Sequence, residues 1–439
     1  MRQPSLAALF AATIATALAA IVPPGTATAA TPVSPEGRLA SSPHVMVAPD
    51  GTVYALWVDK GAKGAPPPKP PEPGQHPANY DVVVARSTDG GATFGAPVRA
   101  NQVAGEVWAF PTAPPRLAIS DRGTLHIFYT GNGLSPANNK PVLTPLYTRS
   151  TDGGRSFTPG RPLAPVPPGD LSAFMHGGYA EAQTFGTIVA HGTTVQALWI
   201  DTRDMKTDTD NGALYTAIST DDGASFATES AVYDAVCPCC QITAAPGPGN
   251  TLFMGSREVS ADGYRDSTVA RSDDGGRTFG PRIRLGTERW QINGCPLKPT
   301  VVAVDGPRVY AASYNGASEP GGVRFAASGD AGRSFSEFAR VHPEAAVSDA
   351  PALVALPKGR LALAWHGKLP AAAGAPSPRT VFLRIGSDDG RRWNDITPLS
   401  EPGSEAGYPT LATRKDGSIV ALWVQGDRIV GTVIPPQKG

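Results

Sequence analysis

Four cysteines carry the most specific chemistry in this 439-residue chain: Cys237, Cys239, Cys240 and Cys295. Three of them fall within four positions, in Val236-Cys237-Pro238-Cys239-Cys240-Gln241, and the fourth lies in Gly294-Cys295-Pro296. Clustered thiols support three kinds of chemistry. They can pair, with one disulfide joining Cys295 to the cluster; four cysteines allow three pairings. They can hold a soft metal as thiolates, with Cu(I) the natural ion and His176, His366 or Met254 assisting. They can also cycle as a redox couple, a vicinal Cys239–Cys240 bond being the strained form. A four-Cys zinc site would show two separated C-x₂-C knuckles, which this spacing lacks. A second concentration of reactive types, Arg257-Glu258 through Tyr264-Arg265-Asp266, follows the cluster, and arginines beside thiols favour thiolate.

Two interleaved repeats supply the elements that must position these residues. The first reads Ser87-Thr-Asp89-Gly-Gly91-Ala-Thr-Phe94 and recurs from Ser150, Ser219, Ser272 and Ser328; a sixth copy, Ser387-Asp-Asp389-Gly-Arg-Arg-Trp393, is degenerate. Ser and Asp side chains can bond their own turn backbone, glycine supplies the positive φ of a tight hairpin, and the closing aromatic fills apolar space beneath it. The second repeat is a pair of apolar strands around a turn glycine: Gly51, Gly123, Gly192, Gly249, Gly306, Gly359 and Gly417, at intervals of 53–72 residues. This spacing predicts an all-β propeller of four-stranded blades. Seven hairpins against six boxes favour seven blades, with six as the alternative. The last blade ends in a third strand, so an N-terminal strand around Gly37–Ser42 is expected to close the ring and remove an exposed edge.

Within such a blade, strands A to D alternate in direction, so the A–B and C–D turns share one face and the B–C loops and D–A crossings share the other. The B–C loops supply Asp59, Asp201, Arg203, Arg257, Glu258, Tyr264, Arg265, Asp266, Asn315 and His366. The D–A crossings supply His176, Tyr179, Glu181, Trp290 and all four cysteines. Polar residues at strand ends on one loop face are the place to look for binding or catalysis.

The S-x-D-x-G-x-x-F/W unit is the Asp box, and the chain resembles the Asp-box, or BNR-repeat, β-propellers of the sialidase superfamily over nearly all of its mature length. It is similar to uncharacterised exported bacterial members with a C-x-C-C-Q…G-C-P arrangement. The resemblance implies boxes between the third and fourth strands of each blade and a pocket over the axis, on the B–C and D–A face. It also implies a sialidase-like exo-glycosidase activity, in which three arginines clamp a substrate carboxylate. Arg203, Arg257 and Arg265 are the candidates for that clamp. A Tyr nucleophile would be activated by a Glu, Tyr264 or Tyr179 with Glu258 or Glu181, and Asp266 completes the set. Two departures weigh against this. Sialidases have six blades, and the R-I-P motif of their first arginine has no counterpart in Arg38-Leu-Ala-Ser-Ser-Pro-His44.

Composition bounds the rest. Thirty-eight basic residues cancel 38 acidic ones, which excludes a general nucleic-acid binder. With 49 glycines and 45 prolines, about a fifth of the chain is turn-forming, while 41% hydrophobic residues suffice for a core. Residues 1–29 read as a cleaved secretory signal, with an apolar run and Ala27-Thr28-Ala29 before the cut. Residues 30–439 then form one exported propeller, secreted or periplasmic, with no later membrane span. Three functional readings follow: an axial pocket lined by Arg, Asp and Cys that binds a glycan or small molecule, a copper-binding or thiol-redox propeller, and a non-catalytic assembly propeller.

Overall fold

The computed structural model describes residues 30–65, 80–167, 181–205, 211–292, 294–370 and 377–436. The signal segment, His176 and Tyr179 lie outside these residues. The fold is an all-β propeller. In the first blade, Arg38–Val47, Val53–Ala62, Asp81–Ser87 and Val98–Arg99 pair antiparallel in sequence order. Seven consecutive units of this kind are built from the described residues. Their innermost strands are Arg38–Val47, Arg116–Ile119, Glu181–His191, Thr243–Pro246, Thr300–Asp305, Val347–Leu356 and Ala406–Thr413.

An N-terminal strand closes the last unit, as expected, but it is built from residues ahead of Gly37–Ser42. Thr31–Pro32 pairs with Arg428–Ile434 as the outermost strand of the seventh unit, while Gly37–Ser42 leads into the innermost strand of the first. The chain between them crosses from rim to axis, with Val33 buried at the junction of the first and last units.

Burial explains why the units cannot stand alone. Each meets the next through its own apolar cluster, and seven such clusters run around the ring. The box aromatics are placed by this rule. Phe94, Phe157, Phe226, Phe279, Phe335 and Trp393 each pack into the cluster shared with the preceding unit. In the five complete boxes the Ser hydroxyl donates to the Asp carboxylate at 2.7–2.8 Å and accepts the N–H of the second Gly at 2.8–2.9 Å. Glycine is required there twice over. At Gly223, φ is +73° and a Cβ would lie 1.9 Å from the Tyr147 hydroxyl of the preceding unit.

At the axis, a cavity of about 300 Å³ is lined from every unit, by Met46, Ile119, Val189, Ala245, Val302, Leu353 and Leu411 among others. Four innermost strands carry a register break where they leave the D–A crossing, each with a positive-φ residue: Ser42, Phe185, Ala350 and Tyr408. Bulges re-aim side chains at the rim of a sheet, and here they turn backbone and side chains into the mouth of the cavity.

Candidate functional site

The cysteine turn forms where the outermost strand of the third unit, Ser230–Val236, ends. Cys237 N–H donates to the Arg257 carbonyl at 2.9 Å, and Ile242 N–H donates to the Phe185 carbonyl at 2.9 Å, so both sides of the turn are pinned to neighbouring blades. Between them, Cys237, Cys239 and Cys240 bring their sulfurs within 4.8 Å of one another, all three buried. The Cys237–Cys240 separation is 3.3 Å and Cys237–Cys239 is 3.7 Å. Cys295 is exposed and stands outside this group of three. The expected two disulfides, and the vicinal Cys239–Cys240 bond, are not formed: all four cysteines are free, and the sulfurs stand well beyond the ~2.05 Å of an S–S bond.

Arg265 donates to the Cys237 sulfur at 3.2 Å, and Lys298 N–H to the Cys240 sulfur at 3.4 Å. Hydrogen bonds from the Cys239 and Cys240 thiols, then the Arg265 charge, hold the Cys237 thiol well below the usual range. The same sharing pushes Cys239 up, and burial pushes Cys240 up. Of the expected assisting ligands, Met254 packs in the same apolar cluster as the thiols. His366 faces elsewhere, its Nδ1 accepting the Tyr408 N–H at 3.1 Å.

The three arginines do not form a clamp. Arg203 is held by Asp201 at 2.7 Å and Glu229 at 3.0 Å and stacks on Tyr215. Asp201, which is buried, in turn accepts from Trp199 and Gln183, so Arg203 is committed to a local carboxylate network on the third unit. Arg257 is fully buried and donates to the carbonyls of Lys298, Arg265 and Tyr314 and to the Ser313 hydroxyl, with its guanidinium over the Trp290 ring. Arg265 faces the thiols.

Among the described residues, Tyr264 and Glu258 do not form a couple; Tyr179 lies outside these residues. Glu258 is engaged by Arg282 at 3.3 Å, while the Tyr264 ring lies under Arg289. Asp266 binds Arg289 at 2.9 Å and the Trp290 N–H at 3.2 Å. The strand register that sets Glu258 opposite Asp266 leaves Tyr264 beyond the pair. Of the ligand candidates, Asp59 is a bidentate partner of Arg38, Asn315 caps its own loop through Ala317 N–H, and Trp290 packs at a tilt against Tyr314. Glu181 opens the innermost strand of the third unit, paired with Val142.

Of the residues the D–A crossings place on this face, Asp349 and Tyr408 line the axial cavity; Arg116, which also lines it, was outside the expected set. Arg116, on the innermost strand of the second unit, donates to Gln241 Oε1 at 2.6 Å. Gln241 donates to the carbonyls of Pro114 and Gly186, both at 3.0 Å, and so spans three blades. Arg116 and Asp349 are the charged residues lining the cavity. Asp349 is matched by Lys298, whereas no carboxylate lies within ion-pair distance of Arg116 among the described residues. Burial pushes the Arg116 guanidinium down to about 10, and burial with the Arg116 charge pushes His44 down to about 3. The signal for Arg116 was available in the sequence: a lone charge inside the otherwise apolar strand Pro115-Arg116-Leu117-Ala118-Ile119.

No family model and no curated protein matches the chain. Among solved structures it is similar to a polysaccharide lyase of family PL25, an ulvan lyase, with a TM-score of 0.54 and 12% identity over 93% of this chain and 95% of that one. A protein of unknown function from Dyadobacter fermentans superposes with a TM-score of 0.50 and 17% identity, covering 82% of this chain and 99% of the other. A Hadza microbial sialidase gives a TM-score of 0.47 at 15% identity, over 92% and 95% of the two chains. The likeness to the lyase shows the fold alone, an all-β propeller.

Proposed function

We propose that the protein is an exported propeller whose axial cavity binds a small anionic ligand, an acidic sugar being the class that fits. One observation carries this reading: Arg116 is a half-buried cation lining the cavity, with a neutral amide as its hydrogen-bond acceptor and no carboxylate partner among the described residues. A buried charge is normally paired, and a guanidinium suits the bidentate recognition of a carboxylate or sulfate. A volume of about 300 Å³ is at the small end of ligand pockets, near the size of one sugar ring. The lyase neighbour is bound to a GlcA(1-4)Rha3S saccharide, an anionic sugar, which supports the choice of class. The reading is one of recognition: the described arginines and tyrosine are not arranged for sialidase-type hydrolysis.

Calorimetric titration of the mature protein with glucuronate, N-acetylneuraminate and glucose tests it. The acidic sugars should bind and glucose should not, and Arg116→Met should weaken acid binding at least tenfold. Equal binding of the acidic sugars by wild type and Arg116→Met would refute the site. N-terminal sequencing of the exported form, expected to begin after Ala29, tests the localisation.

A further inference from the structure

We propose that Cys237, Cys239 and Cys240 form a trigonal thiolate site for a single monovalent soft cation, Cu(I). This site is separate from the axial anion site and does not depend on it.

Three features of the structure converge on this assignment. The first is spacing. With metal–sulfur bonds of roughly 2.3 Å, three ligands in a trigonal set stand about 4 Å apart. The observed separations of 3.3 and 3.7 Å, with all three sulfurs inside 4.8 Å, match sulfurs that share a metal better than sulfurs that share a bond.

The second is charge. Arg257 is fully buried and Arg265 half-buried, and neither has a carboxylate within ion-pair distance among the described residues. Arg265 Nη1 points at the Cys237 sulfur, and its buried Nε has no hydrogen-bond partner. Arg257 binds the backbone carbonyls of Arg265 and of Lys298, the residue whose own N–H reaches the Cys240 sulfur. Two unpaired cations beside three buried thiols call for two negative charges. Three thiolates with one Cu(I) carry a net charge of −2 and balance both arginines. With Zn²⁺ the same set would leave a cation over. Soft thiolate donors also favour Cu(I) over harder ions.

The third is enclosure. The sulfurs belong to an apolar cluster with Phe185, Met254 and Val236, and Trp108, Phe110 and Phe185 meet edge to face beside it. That wall excludes water from the buried side. Cys295 stands on the exposed side of the cluster, where an incoming ion would meet it first. On loading, each coordinating thiol releases its proton to solvent, and no electron transfer is involved.

The test uses the full mature chain, reduced, loaded anaerobically with Cu(I), and challenged with bathocuproine disulfonate. One copper per chain should survive the challenge, with X-ray absorption showing sulfur ligation alone. Copper should protect Cys237, Cys239 and Cys240 from alkylation while Cys295 still reacts. Cys240→Ser should lower the affinity at least 100-fold, and Cys295→Ser and Arg116→Met should both retain the metal. The alkylation pattern needs no variant, so it decides the matter even where Cys240→Ser fails to fold. The proposal is overturned if copper is lost to the chelator and gives no protection, or if zinc is retained in its place. A reversible Cys237–Cys240 disulfide in metal-free exported protein would also overturn it and make the turn a redox couple.

Discussion

Replacing Arg116 by methionine should make the empty protein more stable. Burial pushes the guanidinium down to about 10, and against an ordinary arginine that gap is worth roughly 3 kcal/mol of penalty on the charged form. Water entering a cavity of about 300 Å³ screens part of it, leaving about 2 kcal/mol. Against this stands the hydrogen bond to Gln241, worth about 1 kcal/mol net. Methionine adds apolar contact with Ile119 and Val189 on the same cavity wall. The balance is a gain of roughly 1–2 kcal/mol for Arg116→Met, read as a higher urea midpoint with an unchanged slope. Ligand reverses the order. At a hundred times its dissociation constant an acidic sugar should add about 2.7 kcal/mol to the wild type and nothing to the variant. If Arg116→Met is less stable by more than about 1 kcal/mol with and without sugar, the arginine is a brace between the second and fourth blades, and the ligand reading fails.

Three further outcomes follow from the same geometry. His126 and His366 are pushed down to about 4 by burial, and His44 to about 3. The unfolded chain therefore takes up protons near pH 6.5 that the folded ring refuses. Stability should be full above pH 6.5 and fall toward pH 4 by about 1.4 kcal/mol per pH unit per histidine; a urea midpoint that is flat from pH 7 to 4.5 would contradict this. Ser150→Ala removes the acceptor of the buried Gly154 N–H and the donor to Asp152. It should cost about 1–3 kcal/mol. Ser387→Ala, in a turn closed by backbone bonds from Gly390 and Arg391, should cost almost nothing in the same thermal melt. Arg257→Met strands four acceptors around a fully buried side chain and should cost about 3–5 kcal/mol. Arg203→Met leaves the buried Asp201 its bonds from Trp199 and Gln183 and should cost less, about 1–3 kcal/mol; a larger loss than for Arg257→Met would refute the contrast.

The repeats made the fold legible. Each box encodes its own turn through local bonds, and its aromatic encodes contact with the preceding blade, so a pattern eight residues long carries both local and tertiary information. The cysteine cluster was equally legible, because its members are close in sequence and the turn that gathers them is local. What escaped was long-range pairing. Arg203, Arg257 and Arg265 sit on the expected face, yet their partners come from Glu229, Lys298 and Cys237, and spacing says nothing about which acceptor wins. That an N-terminal strand closes the ring was legible; which residues form it was not, for a related reason. Thr31–Pro32 is too short to show alternation, whereas Arg38–Val47 shows it clearly and occupies the axis instead. Arg116 went unnoticed because a single charge in an innermost strand looks like an interruption of the pattern rather than its purpose.

That interruption points to how the ring acquires function. The innermost strands of the second and fourth units are four residues long, Arg116–Ile119 and Thr243–Pro246, where those of the first, third and sixth have ten or eleven. A strand that stops early leaves backbone carbonyls without ladder partners, and buried carbonyls must find donors. Gln241 meets that need at Pro114, just before the short strand of the second unit, and also donates to Gly186 at the register break of the third unit's strand, while its oxygen holds Arg116. The same early stop frees the preceding residues, Cys237 to Cys240, to coil into a turn instead of continuing the strand. Gln241 and Cys240 are adjacent, so one irregularity in the fourth blade orients an arginine toward the axis and three sulfurs toward Arg265. The other blades keep the ring closed, and the shortened ones carry its chemistry.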